Sequence, residues 1–357
     1  MTMFNYQTIR SLQAEISSYC NASCPQCPRN IFGGDIVPTL PLRKWRVKNL
    51  EQMFRPSFVS QLNMLYLCGT YGDPMTHPNI VEIIDWFKKY NKNLTVGIHT
   101  NGGVGKIETY QELAKTSFVS FGIDGLADTN PLYRRHTQWP KIIERSQAFI
   151  KAGGHAEWDY IVFEHNQHQV EQARTLAHTM GFKKFNVKKT GRFLNRKHRV
   201  QTELQVQDRK GRPIHKLRPP TMMQYLNQNM AKLADIKDID NYTMTTPVSC
   251  NAQRIKEVYV AADGMVFPCG WLHDRLYGPE VESTRDHVQI KQMLASIGGW
   301  QKANCIHTEL EHIVDGDWFG KIAESWHTAD RLHRCGMMCG KMVNLIGEQN
   351  ADIEYKT

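Results

Sequence analysis

No stretch of this 357-residue sequence is apolar for long enough to cross a membrane as a helix. The opening, Met1 to Gln13, lacks the apolar core of a secretory signal, so the expectation is a soluble, cytoplasmic protein with no membrane partner. No internal repeat and no low-complexity tract is present, which sets aside solenoids and disordered linkers. The nine cysteines are odd in number and cannot all pair. In a chain expected to be intracellular they point to metal binding or catalysis rather than to a disulfide framework. Aromatic residues are scarce in the one strongly basic stretch. Between Lys183 and Arg218 thirteen Lys and Arg (183, 184, 188, 189, 192, 196, 197, 199, 209, 210, 212, 216 and 218) meet only Glu203 and Asp208. Phe185 and Phe193 alone interleave with them, fewer than base-stacking platforms require. The stretch carries more positive charge than the whole chain's net +9, so the remainder is slightly acidic. Such a block could steer an acidic or phosphorylated partner, and a solvated lysine-rich hairpin is the plainer reading.

What is present begins with a core. An apolar content of 41% over this length supports one large domain and a smaller one. Short apolar runs at Leu12–Ser17, Met64–Cys68, Leu94–His99, Phe118–Ile123, Tyr160–Phe163 and Lys184–Val187 alternate with amphipathic stretches such as Asn79–Tyr90 and Trp139–Ala152. This is the pattern of βα units around a parallel sheet, and six such units suit an open or partial (β/α)6 barrel. Active sites in such folds lie at the C-terminal ends of the strands. From Gly191 to about Thr246 the alternation stops. Val200–Val206 and Ile214–Leu217 around Asp208-Arg209-Lys210-Gly211 read as a hairpin, followed by Pro219-Pro220 and a polar connector. A second hairpin, Val258–Ala261 and Met265–Phe267 around Asp263-Gly264, opens the last hundred residues. The expected division is 1–190, 191–246 and 247–357.

Cys20, Cys24 and Cys27 form Cys-x3-Cys-x2-Cys directly after the first predicted strand. A loop of this spacing can place three thiolates around one face of a [4Fe-4S] cubane and leave one iron open to a small molecule. A zinc site or a set of buried thiols is the alternative, although structural zinc calls for a fourth protein ligand. The motif resembles the hallmark loop of the radical S-adenosylmethionine (SAM) superfamily. Further segments are similar to that family's, in its order: Gly69-Thr70-Tyr71-Gly72-Asp73-Pro74 after the second strand, His99-Thr100-Asn101-Gly102 after the third, and Gly122-Ile123-Asp124-Gly125 after the fourth.

The resemblance covers roughly residues 10 to 190. It implies that Gly72, Asp73, Pro74, Thr100, Asn101, Asp124, Arg135 and Val162 contact SAM, Arg135 at its carboxylate and Val162 at its adenine. Gln26 departs from the family's aromatic residue before the third cysteine, Asp73 from its glutamate and Gly122 from its serine.

Cys250, Cys269, Cys335 and Cys339 form a second set, in which the hairpin turning at Asp263-Gly264 can bring Cys269 back towards Cys250. It resembles the shorter Twitch form of the SPASM/Twitch extension, which implies one auxiliary [4Fe-4S] cluster. A four-cysteine zinc site is the alternative. Cys68 reads as a core residue, and Cys305 carries no motif.

The resemblance as a whole implies an α/β, partial-barrel radical SAM enzyme with a Twitch-like α+β extension. It would cleave SAM to a 5′-deoxyadenosyl radical and abstract hydrogen from a substrate, drawing on a reducing donor such as flavodoxin or ferredoxin. The auxiliary cluster would favour an oxidation of a small polar molecule. A peptide-modifying maturase is the alternative, although fewer than twenty residues precede Cys20, where such enzymes often carry a peptide-binding domain. The third reading, from another class, is a zinc-stabilised nucleic-acid-binding protein built on the basic stretch.

Overall fold

The computed structural model describes residues 3–195, 199–277, 285–328 and 330–345. Arg196 and Lys197 of the basic stretch lie outside the described residues. The described strands, in chain order, are β1 (Ser11–Ala14), β2 (Met64–Leu67), β3 (Thr95–Thr100), β4 (Phe118–Gly122), β5 (His155–Val162), β6 (Lys184–Lys189), β7 (Leu204–Gln207), β8 (Pro213–Leu217), β9 (Glu257–Val260) and β10 (Val266–Phe267). Each of the six strands expected in the first half forms, with ends shifted by a few residues.

The chain divides into two compact units by contact. The first comprises residues 1–20, 38–97 and 240–341, and the second 21–37, 98–239 and 342–357. This is a division by packing, whereas the segments 1–190, 191–246 and 247–357 divide the chain by motif.

In the first unit the strand order is β10-β9-β1-β2-β3. β1 pairs in parallel with β2, Leu12 opposite Leu65, and also with β9, Leu12 opposite Val258. The second hairpin therefore forms as expected but does not stand apart, because β9 extends the sheet that carries the cysteine loop. Its physical reason is burial: all four residues of β9 are buried, and a strand covered on both faces belongs inside a sheet. The helix Ile80–Tyr90 buries Ile80, Ile83, Ile84 and Phe87, the i, i+3, i+4, i+7 stripe that its sequence dictates.

In the second unit the strand order is β3-β4-β5-β6. β4 pairs in parallel with β5, and β5 with β6. The helix Trp139–Lys151 starts on a Pro at its first turn and buries Ile142, Ser146 and Phe149. The helix Val170–Met180 stops at Gly181, whose φ of 91° is the left-handed conformation that closes a helix without a Cβ penalty. The basic hairpin forms as β7 and β8, antiparallel, Leu204 opposite Leu217.

The strands of the second unit are two-faced. Alternate residues of a strand point to opposite sides, and the β5–β6 register puts Asp159 opposite Asn186 and Ile161 opposite Lys188. Trp158, Tyr160 and Phe185 fall on the other face, where Trp158 meets Phe182 and Phe185. One face is thus aromatic and the other polar.

Candidate functional site

Within the first unit, the segment after β2 is held against the end of β1. Gly72 lies so close to it that an added Cβ would fall 1.7 Å from the Ser17 carbonyl oxygen, so only glycine fits. The Asp73 amide donates to the Tyr19 carbonyl at 2.8 Å, and the buried Asp73 carboxylate accepts from the Met75 amide at 3.0 Å, capping the turn Pro74–Thr76.

Glu15, which sequence reasoning missed, organises this segment. Its Oε1 accepts from the backbone amides of Tyr71 at 2.6 Å and Gly72 at 2.9 Å, and its Oε2 accepts from the Tyr259 hydroxyl at 2.9 Å. Complete burial pushes its carboxyl up to about 7, against the lowering effect of those three donors. The only signal for it in the sequence is a charged residue inside the apolar run Leu12–Ser17.

The four later cysteines also lie in the first unit. Cys250 and Cys269 precede the short helices Asn251–Ile255 and Gly270–His273, and Cys335 and Cys339 share one face of the helix His333–Cys339 at i, i+4. Burial raises the Cys269 thiol well above its ordinary range, and the charges of Cys250, Cys339 and Cys335 raise it further. Cys339 is pushed up to about 12 by burial and by Cys250. The set is therefore gathered closely enough for its thiolates to repel one another. Among the described residues, however, no group of three or more His, Cys, Asp or Glu side chains converges as a single ion requires. Tetrahedral zinc at about 2.3 Å from each sulfur would draw its thiolates to about 3.8 Å of one another. Cys305 is buried in the core without such company.

Within the second unit, the Cys27 amide donates to the Cys24 carbonyl at 3.1 Å, closing the turn between them, and the Ser23 amide donates to the Arg135 carbonyl at 3.0 Å. Burial pushes the Cys24 thiol up to about 11, the Arg134 charge lowering it and the Cys27 thiolate raising it. Two neighbouring thiols strained in this way are a donor set that metal charge would stabilise as thiolates. Cys20 closes the first segment of the other unit.

Arg134, adjacent to the residue expected from the sequence, points at this loop. Its Nη1 lies 3.8 Å from Cys24 Sγ and its Nε donates to Asp124 Oδ2 at 2.6 Å. Asp124 is fully buried and accepts from the Ile161 amide at 2.7 Å through its other oxygen. Burial raises the Asp124 carboxyl and the Arg134 charge opposes that rise. The Gly122 departure follows from this pair: a Cβ there would sit 2.6 Å from Arg134 Nη2 and 3.3 Å from His99 Cε1. Arg135 is engaged elsewhere, its guanidinium donating to the Gly33 and Gln207 carbonyls.

Asn101 ties its turn to the cysteine loop, donating to Asn21 Oδ1 at 3.0 Å and accepting from the Gly103 amide at 2.8 Å. Thr100 Oγ1 accepts from the Gly102 amide at 3.1 Å, and Val162 is buried at the end of β5. His77 is occupied in the first unit: Nε2 lies 2.9 Å from the Trp45 carbonyl and Nδ1 accepts from the Asn79 amide at 3.1 Å. Much of the basic stretch is likewise committed internally. Lys216 and Arg218 pair with Glu203, Arg218 also with Glu164, Arg212 with Asp208 and Lys184 with Glu157. Arg199 donates to the carbonyls of Ile236 and Lys237.

No family model and no curated protein matches the sequence. Solved structures match the fold. Streptococcus suis SuiB bound to S-adenosylmethionine superposes with a TM-score of 0.53 at 14% identity, over 96% of this chain and 73% of that one. SuiB bound to the precursor peptide SuiA gives 0.54 at 14% identity, over 96% and 75%. Native anSMEcpe with bound AdoMet gives 0.53 at 16% identity, over 89% and 84%. At such identities the likeness is one of fold, and the chain carries the α/β fold of these proteins, two of whose structures named above hold S-adenosylmethionine.

Proposed function

We propose that this chain is a radical SAM enzyme. The observation that carries the reading is the Cys20–Cys27 loop, which follows β1 in a fold shared with SAM-bound proteins and in which Cys24 is met by a buried cation, Arg134. Cys20, Cys24 and Cys27 would hold a [4Fe-4S] cluster. Gly72, Asp73 and Pro74, and likewise Thr100, Asn101, Asp124 and Val162, would contact SAM, and Arg134 rather than the engaged Arg135 is the cation that faces the loop. When bound and reduced, the cluster supplies one electron to the SAM sulfonium, giving methionine and a 5′-deoxyadenosyl radical. The chain's own part is to bind and orient. Glu15 fixes the Gly69–Pro74 backbone, Asn101 ties the third-strand turn to Asn21, and the Arg134–Asp124 pair neutralises charge beside Cys24.

Cys250, Cys269, Cys335 and Cys339 would hold an auxiliary [4Fe-4S] cluster in a Twitch-like extension, and the net reaction is an oxidation of a small polar molecule in the cytoplasm, with electrons from a flavodoxin- or ferredoxin-type donor. A peptide substrate is the second reading, favoured by the solved structures of the same fold that hold the SuiA precursor and the Cp18Cys peptide. Among the described residues no helix is long and apolar enough to cross a membrane.

The test is anaerobic purification, iron and sulfide analysis, and reduction with dithionite in the presence of SAM. 5′-Deoxyadenosine forms in the wild type and not in Cys24→Ala. Zinc in place of iron, with no SAM cleavage, refutes the reading.

A further inference from the structure

The polar face of the second unit holds a charged residue that its neighbours do not satisfy. Lys188 is 5% exposed, and its Nζ makes no hydrogen bond. The nearest carboxylate oxygen, Asp159 Oδ1, is 3.8 Å away, beyond hydrogen-bond reach, and already accepts from Asn186 Nδ2 at 2.8 Å. Asp159 Oδ2 lies 3.4 Å from His99 Nε2. Two residues on from Lys188, and therefore on the same side of the chain as it leaves β6, Thr190 Oγ1 donates to Gln26 Oε1 at 3.4 Å. The amide nitrogen of that same Gln26 is buried and also lacks a partner. Gln26 lies between Cys24 and Cys27. Lys188 Nζ and Gln26 Nε2 are thus two buried donors without an acceptor, linked through Thr190, which follows Lys188 by two residues and reaches Gln26.

Native proteins rarely leave such groups unpaired, because each then loses its hydration without compensation. A set made only of donors calls for a ligand made of acceptors. The charge balance narrows the class. Burial would raise the Asp159 carboxyl, but the His99 hydrogen bond and the Lys188 charge hold it below the ordinary carboxylate range, so it remains an anion opposite the lysine. A cation already offset by one carboxylate suits a singly charged acceptor better than a dianion.

We propose that Lys188 and Gln26 form a subsite for a carboxylate group of the substrate, with Asp159 as the positioning residue that fixes the lysine. The proposal deepens the radical SAM reading and rests on it for the word substrate. It adds that the molecule oxidised carries a carboxylate, seated beside the cysteine loop.

Acetate is the probe, titrated into the anaerobic, cluster-loaded protein with SAM and followed by the line width of its carbon-13 signal. Saturable broadening is expected in the wild type, with roughly tenfold to a hundredfold weaker binding in Lys188→Met, recovery in Lys188→Arg, and an intermediate loss in Gln26→Leu. Gln26→Leu and Lys188→Arg keep the test open should Lys188→Met fold poorly. Absence of saturable binding in the wild type, equal binding in Gln26→Leu and the lysine variants, or tighter binding of inorganic phosphate than of acetate overturns the proposal. 5′-Deoxyadenosine is measured in the same preparations. Its formation without acetate binding removes the subsite and leaves the radical SAM reading in place, and acetate binding without it does the reverse.

Discussion

Replacing Glu15 with glutamine separates a buried charge from a buried acceptor. In the unfolded chain this carboxyl titrates near its ordinary 4.5, and in the folded protein at about 7. The folded state therefore holds the proton more tightly. The stabilisation is fully present below about pH 4.5 and is lost as the pH rises through about 7. A shift of this size is worth roughly 3 kcal/mol, most of it falling between pH 5 and pH 8. Glutamine does not titrate, and its carbonyl oxygen can still accept from the Tyr71 and Gly72 amides. Unfolding by urea should show the wild type losing about 2–3 kcal/mol more than Glu15→Gln between pH 5 and pH 8. Glu257 provides an internal comparison: burial pushes it up to about 7 as well, it has Ser11 Oγ at 3.2 Å, and Glu257→Gln should remove a second, separate share. Identical pH slopes in wild type and Glu15→Gln would show that the carboxyl is not held as a buried acid, and the reasoning would fail.

Three further outcomes are expected. Gly72→Ala forces a methyl against the Ser17 carbonyl, so it should displace the Gly69–Pro74 segment and weaken SAM binding at least about tenfold in equilibrium dialysis, while Gly320→Ala, with open space around its Cβ and an ordinary φ, should leave SAM binding unchanged. Arg134→Met strands the Asp124 carboxylate in the interior at a cost of about 3–5 kcal/mol, and adding Asp124→Asn should recover part of it in thermal unfolding. Cys335→Ala should lower the iron content from about eight to about four per chain while 5′-deoxyadenosine still forms, because the two cysteine sets load independently.

The elements that could be read in advance depend on near neighbours in the chain. The helix Ile80–Tyr90 carries its own apolar stripe, and the Asp263-Gly264 turn carries its own left-handed residue, Gly264 at φ 87°. Cys-x3-Cys-x2-Cys is likewise local. What stayed hidden depends on distant partners. Glu15 looks like an interruption of a strand until Tyr259, 244 residues on, is seen to donate to it. The choice between Arg134 and Arg135 turns on which side of the chain faces Cys24, a rotation that adjacent positions do not encode. Lys188 was counted among thirteen basic residues of a solvated stretch. Its burial follows from the β5–β6 register, which puts it on the polar face with Asp159. The parallel pairing of β1 with β9 also lies outside any local pattern, since nothing near Val258 names Leu12 as its neighbour.

That last pairing has a consequence for how the protein is made. β1 leaves the ribosome more than two hundred residues ahead of β9, roughly 12 to 50 seconds earlier at ordinary elongation rates. Until then one side of β1 is an open strand edge directly ahead of three thiols, the kind of edge that recruits strands from other chains. A message truncated before Glu257 would leave that edge open permanently. Such nascent chains need a chaperone's cover during synthesis, and iron delivery to the Cys20–Cys27 loop is best timed after the C-terminal strand has arrived.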